Sequence, residues 1–148
     1  FIEPDQKARA QGVQTKFNVM RGVVEGKRLL VVDDSIVRST TITRVINMLR
    51  HAGAAEVHVR VASPPIKSTC HFGVDMATLS ELIAANMELD EITKYIGADS
   101  LAYLSVDGLL RAVRAPKNSY CTGCFTGNYP IPVQLEMNKM GFETVTAD

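Results

Sequence analysis

Two consecutive carboxylates, Asp33 and Asp34, close a short aliphatic run, and hydroxyls follow at Ser35, Ser39, Thr40 and Thr41. Such a set suits a phosphorylated sugar. Hydroxyls and the unpaired N–H groups of a helix start can hold a phosphate. Carboxylates repel a phosphate, but they suit a sugar diol or a magnesium ion held slightly away from it. The same residues also read as a plain strand-to-helix turn with an Asp N-cap. Cysteine is the second reactive group. Cys121 and Cys124 form a C-x-x-C pair and Cys70 stands apart. An odd number makes a poor disulfide framework and points to metal or redox use in a reducing compartment. Three thiolates are one short of a tetrahedral site. A zinc site completed by His71 or His58 and buried unliganded thiols stay open. A redox pair is less favoured, because no strand delivers the C-x-x-C.

The elements that must position these residues can be read from periodicity. Arg28 to Val32 is apolar on consecutive positions and ends in the two acids, which predicts a strand buried on both faces of a parallel sheet. Ile42, Val45, Ile46 and Leu49 fall at helical spacing, with Thr40 or Thr41 as cap and Gly53 as the stop. Glu56 to Ala62 is Val-rich and predicts a second strand, so residues 28–62 read as a βαβ unit. Ser63 to Gly73 is a loop. Thr78-Leu79-Ser80-Glu81 is a capping box opening a helix to about Asn86. Leu89, Ile92 and Ile96 mark another helix, stopped at Gly97. Ser100 to Leu104 predicts a third strand, and Ser105 caps a helix carrying Val106, Leu109, Leu110 and Val113. The fold class is α/β, with an irregular C-terminal tail and no internal repeat. Residues 1–26 read as a mobile basic loop or poorly packed helix, 27–114 as the core, and 115–148 as a tail with the C-x-x-C.

The 148 residues are 46% hydrophobic and 22% charged, enough for one domain with a core. Sixteen basic residues balance sixteen acidic ones, which leaves no basic field for a nucleic acid. The longest purely aliphatic run is too short to cross a bilayer, and no signal peptide is visible, so a cytoplasmic setting is expected. The chain opens on Phe1 in a polar stretch, which reads as a fragment or a processed product.

The stretch VVDDSIVRSTT resembles the phosphoribosyl pyrophosphate signature of type I phosphoribosyltransferases, in the form carried by amidophosphoribosyltransferases. FIEPDQKARAQGV, EVHVRVASPPIKSTCHFGVDM, IGADSLAYLSVDGL and YCTGCFTGNYP are similar to further blocks of that family, in its order, over nearly the whole chain to Pro130. The resemblance implies a partial type I phosphoribosyltransferase fold. Asp33 and Asp34 would hold the ribose hydroxyls and Mg2+. Ser35, Ile36, Val37, Arg38, Ser39, Thr40 and Thr41 would cradle the 5′-phosphate. Lys16 stands where the family carries a loop lysine that meets the pyrophosphate. One departure is Ser39, where the family usually has glycine; a turn that needs a positive φ there would bind phosphate less well.

For the cysteines, the resemblance implies a [4Fe-4S] cluster held by Cys70, Cys121 and Cys124, with the fourth ligand outside this chain and a structural role. The implied reaction joins glutamine-derived ammonia to phosphoribosyl pyrophosphate, giving 5-phosphoribosylamine at the start of purine biosynthesis. Purine nucleotides would act as feedback inhibitors, and a homo-oligomer is expected. No residue here plays the nucleophilic cysteine of the family's glutaminase half, so the isolated chain is expected to be inactive. Two other readings stay open. One is a regulator of the same fold that senses phosphoribosyl pyrophosphate without turning it over. The other is a receiver-type signalling domain, which also carries paired acids after its first strand. A receiver needs a phosphorylatable Asp at a later strand end and a following Lys; Asp75 has the spacing but not the aliphatic context.

Overall fold

A computed structural model describes residues 18–76, 78–114, 116 and 119–132. Three parallel strands lie in the order β1, β2, β3: β1 is Arg28–Asp33, β2 Glu56–Val61 and β3 Ser100–Tyr103. Between them run α2 (Thr40–His51), a 3-10 turn (Leu79–Glu81), α3 (Ile83–Asn86) and α4 (Leu89–Ile96). A short α1 (Arg21–Val24) precedes the sheet, and α5 (Val106–Ala112) and α6 (Gly123–Thr126) follow it. The α/β class and the parallel sheet are as expected.

The core lies on one face of the sheet. Val57, Val59 and Val61 of β2 and Leu101 of β3 meet Ile42 and Ile46 of α2 and Ile92 and Ile96 of α4. The 3.6-residue period of α2 and α4 turns these side chains onto one stripe each, which buries them against the sheet. Gly97, at φ 78°, ends α4 in the left-handed conformation that glycine adopts at least cost. Ser105 caps α5 as expected, its Oγ accepting from Gly108 N at 3.0 Å.

Several expectations need correction. β1 is not buried on both faces: Leu30 is 65% and Val32 69% exposed, while Val31 packs on the core. Among the described residues it is an edge strand, and the helices that pack on the sheet, α2 and α4, share one face. Thr40 and Thr41 do not cap α2; they are its first residues, and Ser39 occupies the N-cap without a side-chain cap bond. The capping box at Thr78 and Glu81 is present, but it opens a 3-10 turn that breaks at Leu82 before α3 begins. The second cysteine of the C-x-x-C lies in α6 rather than in a loop. Of the segment read as a basic loop, residues 18–26 carry α1 with Val24 buried. Lys16 lies outside the described residues.

Candidate functional site

β1 ends at Asp33, and β2 and β3 end level with it at Val61 and Tyr103. In an open parallel sheet this edge is where ligands bind. The Asp33 carbonyl is tied by Ala62 N at 2.9 Å, which fixes the strand end. Among the described residues its carboxylate accepts only from the Asp34 amide, at 3.0 Å. Asp34 is exposed and accepts from Ser35 Oγ at 3.2 Å. Among the described residues neither carboxylate pairs with a Lys or Arg. Burial pushes the Asp33 carboxyl above its ordinary value, and the Asp34 charge adds to this. An uncompensated, partly desolvated carboxylate beside a second one is a place where a divalent cation or a sugar diol relieves repulsion.

The turn from Asp34 to Ser39 hangs on two apolar anchors. Ile36 is 3% exposed and belongs to the main core. Val37 packs on a second cluster of Ile66 and Leu82, which Cys124 and Phe125 also join. The side chains of Ile36 and Val37 therefore face inward, and only their backbone is available to a phosphate. Arg38 is also engaged, donating to Glu81 from both Nε and a terminal nitrogen. Glu81 and Tyr103 are the residues sequence reasoning missed. Arg38 and Glu81 lie 43 positions apart, so no local pattern links them. Among the described residues the Tyr103 hydroxyl is buried without a hydrogen-bond partner, and burial raises its pKa to about 12.

α2 begins directly after the turn. Its first intrahelical-type bond is Thr43 N to Ser39 O, so the amides of Thr40, Thr41 and Ile42 have no helical acceptor. The Ser35, Thr40 and Thr41 hydroxyls belong to the same turn and helix start. Ser39 has φ 63°, in the left-handed region, is buried, and donates its hydroxyl to the Arg38 carbonyl. An L-residue there carries strain of about 1–2 kcal/mol, against which glycine's extra chain entropy offsets about 0.5–1 kcal/mol. Ser39→Gly is accordingly expected to stabilise the chain by up to about 1 kcal/mol in urea unfolding. Unchanged or lower stability would mean that the hydroxyl bond outweighs the strain.

Cys124 packs behind this turn, in the cluster of Val37, Ile66 and Leu82. Lys67 and Ser68 amides both donate to the Cys124 carbonyl, at 2.8 and 3.0 Å, which ties α6 to the loop carrying Cys70. Tyr129 donates to Thr69 O at 2.6 Å and stacks edge-on to His71 and Phe72. Gly123 is required where it stands, because a Cβ there would lie 2.3 Å from the Tyr129 ring. Burial raises the Cys124 thiol pKa, and Cys70 and Cys121 are near enough to raise it further. Amides of Phe72 and Gly123 point at the sulfurs of Cys70 and Cys121, each at 3.4 Å. Amide-to-sulfur bonds of this kind suit a thiolate-bound iron–sulfur centre. Among the described residues no group of three His, Cys, Asp or Glu is arranged to hold a metal ion. Neither His58, bonded to Glu56 and Ser100, nor any other histidine completes one.

The chain is 49% identical over 142 residues to an Arabidopsis thaliana chloroplastic amidophosphoribosyltransferase, covering 95% of this chain and 25% of that protein. It is 50% identical over 137 residues to the Bacillus subtilis amidophosphoribosyltransferase, covering 90% of this chain and 29% of the relative. A solved structure of the B. subtilis glutamine phosphoribosylpyrophosphate amidotransferase, complexed with ADP and GMP, superposes with a TM-score of 0.76 at 51% identity. It covers 92% of this chain and 31% of that one. The chain belongs to the amidophosphoribosyltransferase family. It spans between a quarter and a third of the length of these relatives. No family model matches it. Its sheet and helices are those of the phosphoribosyltransferase part of an amidophosphoribosyltransferase. The receiver reading falls away with this, and Asp75 lies in an irregular segment rather than at a strand end. No helix among the described residues is long and apolar enough to cross a membrane.

Proposed function

We propose that this chain is the phosphoribosyl-binding part of an enzyme that converts phosphoribosyl pyrophosphate and glutamine to 5-phosphoribosylamine, glutamate and pyrophosphate. The observation that carries the proposal is the β1–α2 turn: two carboxylates at the strand end that, among the described residues, pair with no Lys or Arg, followed at once by helix amides without a helical acceptor and by hydroxyls. The amides of Thr40, Thr41 and Ile42, with Ser35, Thr40 and Thr41 hydroxyls, bind the 5′-phosphate. Asp33 and Asp34 hold the ribose diol and Mg2+. Bound there, Mg2+ supplies charge neutralisation for the departing pyrophosphate. Ammonia forms the new bond to C1 of the sugar as the C1–O bond to pyrophosphate breaks. The bonding pair leaves with pyrophosphate, and the amine nitrogen loses a proton to solvent. Catalysis by these residues is positioning and charge stabilisation, without a covalent intermediate. As the resemblance implies, Lys16 would meet the pyrophosphate. Purine nucleotides, which share the sugar phosphate, are the inhibitors this turn would accept. The ADP and GMP in the B. subtilis relative support that reading. A homo-oligomer remains part of the proposal.

The deciding experiment is magnesium-dependent pyrophosphate release by protein from the complete gene, with ammonia and then glutamine as nitrogen donor. Release with both donors supports the full reaction; release with ammonia alone removes the glutaminase half. Tight binding of phosphoribosyl pyrophosphate without release favours the sensor.

Cys70, Cys121 and Cys124 fit three of the four ligands of a [4Fe-4S] cluster, by donor chemistry and by the amides aimed at their sulfurs. Such a cluster would tie α6 to the loop before α3 and, through Cys124 and Val37, stiffen the phosphate turn. Protein purified without oxygen is expected to contain iron and inorganic sulfide, and Cys121→Ser to lose both. Wild-type protein free of iron would sink the cluster and return zinc or free thiols to consideration.

A further inference from the structure

We infer that Glu81 is a positioning residue for the phosphate-binding turn, acting through Arg38 to set where residues 38–42 present their amides and to keep Arg38 away from Asp33 and Asp34. The inference rests on the reading that this turn holds the donor's 5′-phosphate.

Arg38 Nε donates to Glu81 Oε1 at 2.9 Å, and a terminal guanidinium nitrogen donates to Oε2 at 3.4 Å. A forked pair of this kind fixes the plane of the guanidinium as well as its distance. Glu81 is itself held. Its Oε2 accepts from the Thr78 amide and hydroxyl, both at 3.1 Å. Asn86 Nδ2 donates to the carbonyls of Leu79 and Leu82, at 3.0 and 2.7 Å, which closes the same turn. One residue further along, Ile83 N donates to Val37 O at 3.0 Å, and Val37 packs on Leu82. The segment 78–86 thus grips residues 37 and 38 by a backbone bond, an apolar contact and an ion pair. The strained Ser39 and the free amides of α2 come next in the chain.

The three ties differ in kind. The backbone bond and the packing keep the turn folded without Glu81. The ion pair joins groups that are 35% and 40% exposed, so its contribution to stability is small. Its effect is on placement. A second effect is electrostatic. Arg38 sits four residues past Asp34, and a guanidinium released from Glu81 is free to pair with the carboxylates that the diol and cation need. Loss of Glu81 is therefore felt as weaker substrate and magnesium binding rather than as unfolding.

Glu81→Gln separates the roles, because a glutamine can still serve in a capping box while the charged fork is lost. Arg38→Lys breaks the same fork from the other side, since an ammonium cannot make it. Both variants, wild type and Asp34→Asn are compared as protein from the complete gene, by Kd for phosphoribosyl pyrophosphate at fixed Mg2+, by Mg2+ dependence, by kcat and by Tm. The expected result is that Glu81→Gln and Arg38→Lys raise Kd about tenfold and shift the Mg2+ requirement upward, with kcat and Tm of Glu81→Gln little changed. Wild-type Kd in Glu81→Gln, alongside lost binding in Asp34→Asn, overturns this inference alone. A fall in Tm with kcat and Kd worsening together also overturns it, leaving Glu81 a structural residue. If wild type and Asp34→Asn bind the substrate equally, the parent reading fails and takes this one with it.

Discussion

Asp34→Asn, in protein from the complete gene, is expected to lower magnesium-dependent pyrophosphate release by about 100-fold, with Tm unchanged. The side chain is exposed, and among the described residues its carboxylate receives only the Ser35 hydroxyl. Removing its charge therefore takes nothing from the fold. Asparagine keeps one oxygen acceptor and nearly the same shape, so a diol hydroxyl could still be met. Half of the charge facing the cation is gone, however, and a neutral amide is a much weaker magnesium ligand than a carboxylate. Asp33→Asn should lose activity to the same order and gain a little stability, because burial disfavours the Asp33 charge in the folded chain. Full activity in Asp34→Asn would show that the two acids are only a polar strand end.

Ile46→Ala is expected to destabilise the chain by about 3–4 kcal/mol, read from the midpoint of a urea transition with unchanged slope. Ile46 is fully buried in the cluster that joins α2 to β2 and α4. Gly97, the stop of α4, lies against its γ-methyl: a Cβ at Gly97 would meet Ile46 Cγ2 at 3.8 Å. The truncated side chain leaves a cavity between secondary elements that are tied by hydrogen bonds and cannot close on it. Arg50, on the same helix, is anchored to Asp99 at 2.5 Å, and Asp99 also accepts from Val57 N at 2.6 Å. A loss below about 1 kcal/mol would mean that α2 shifts to fill the space. Because α2 carries the free amides of the phosphate turn, such a shift would also appear as weaker substrate binding.

The linear order of chemistry was legible in the residues themselves. An aliphatic run ending in Asp33-Asp34, hydroxyls before a helical period, and Gly97 after Ile96 are local signals, because strand alternation, capping and helix termination act over a few residues. Family resemblance across the blocks added the substrate class and the grouping of the cysteines. What lay beyond the sequence depended on contacts between distant segments. β1 reads as buried on both faces because Leu29 to Val32 are all apolar; Leu30 and Val32 are exposed because, among the described residues, the helices pack on the face that Val31 points to, which no residue in the strand states. Ser39 could be flagged as unlike the family's glycine, but its left-handed φ is imposed by Ile36 and Val37, each drawn into a different cluster, with α2 starting at once behind them. Arg38 reads as a phosphate ligand until Glu81, far along the chain, is seen to occupy it. The residue types and short-range spacing determined which chemistry this chain can do. Only the packing of Ile66 and of the segment 78–86 against the turn decided which of those side chains remain free to do it.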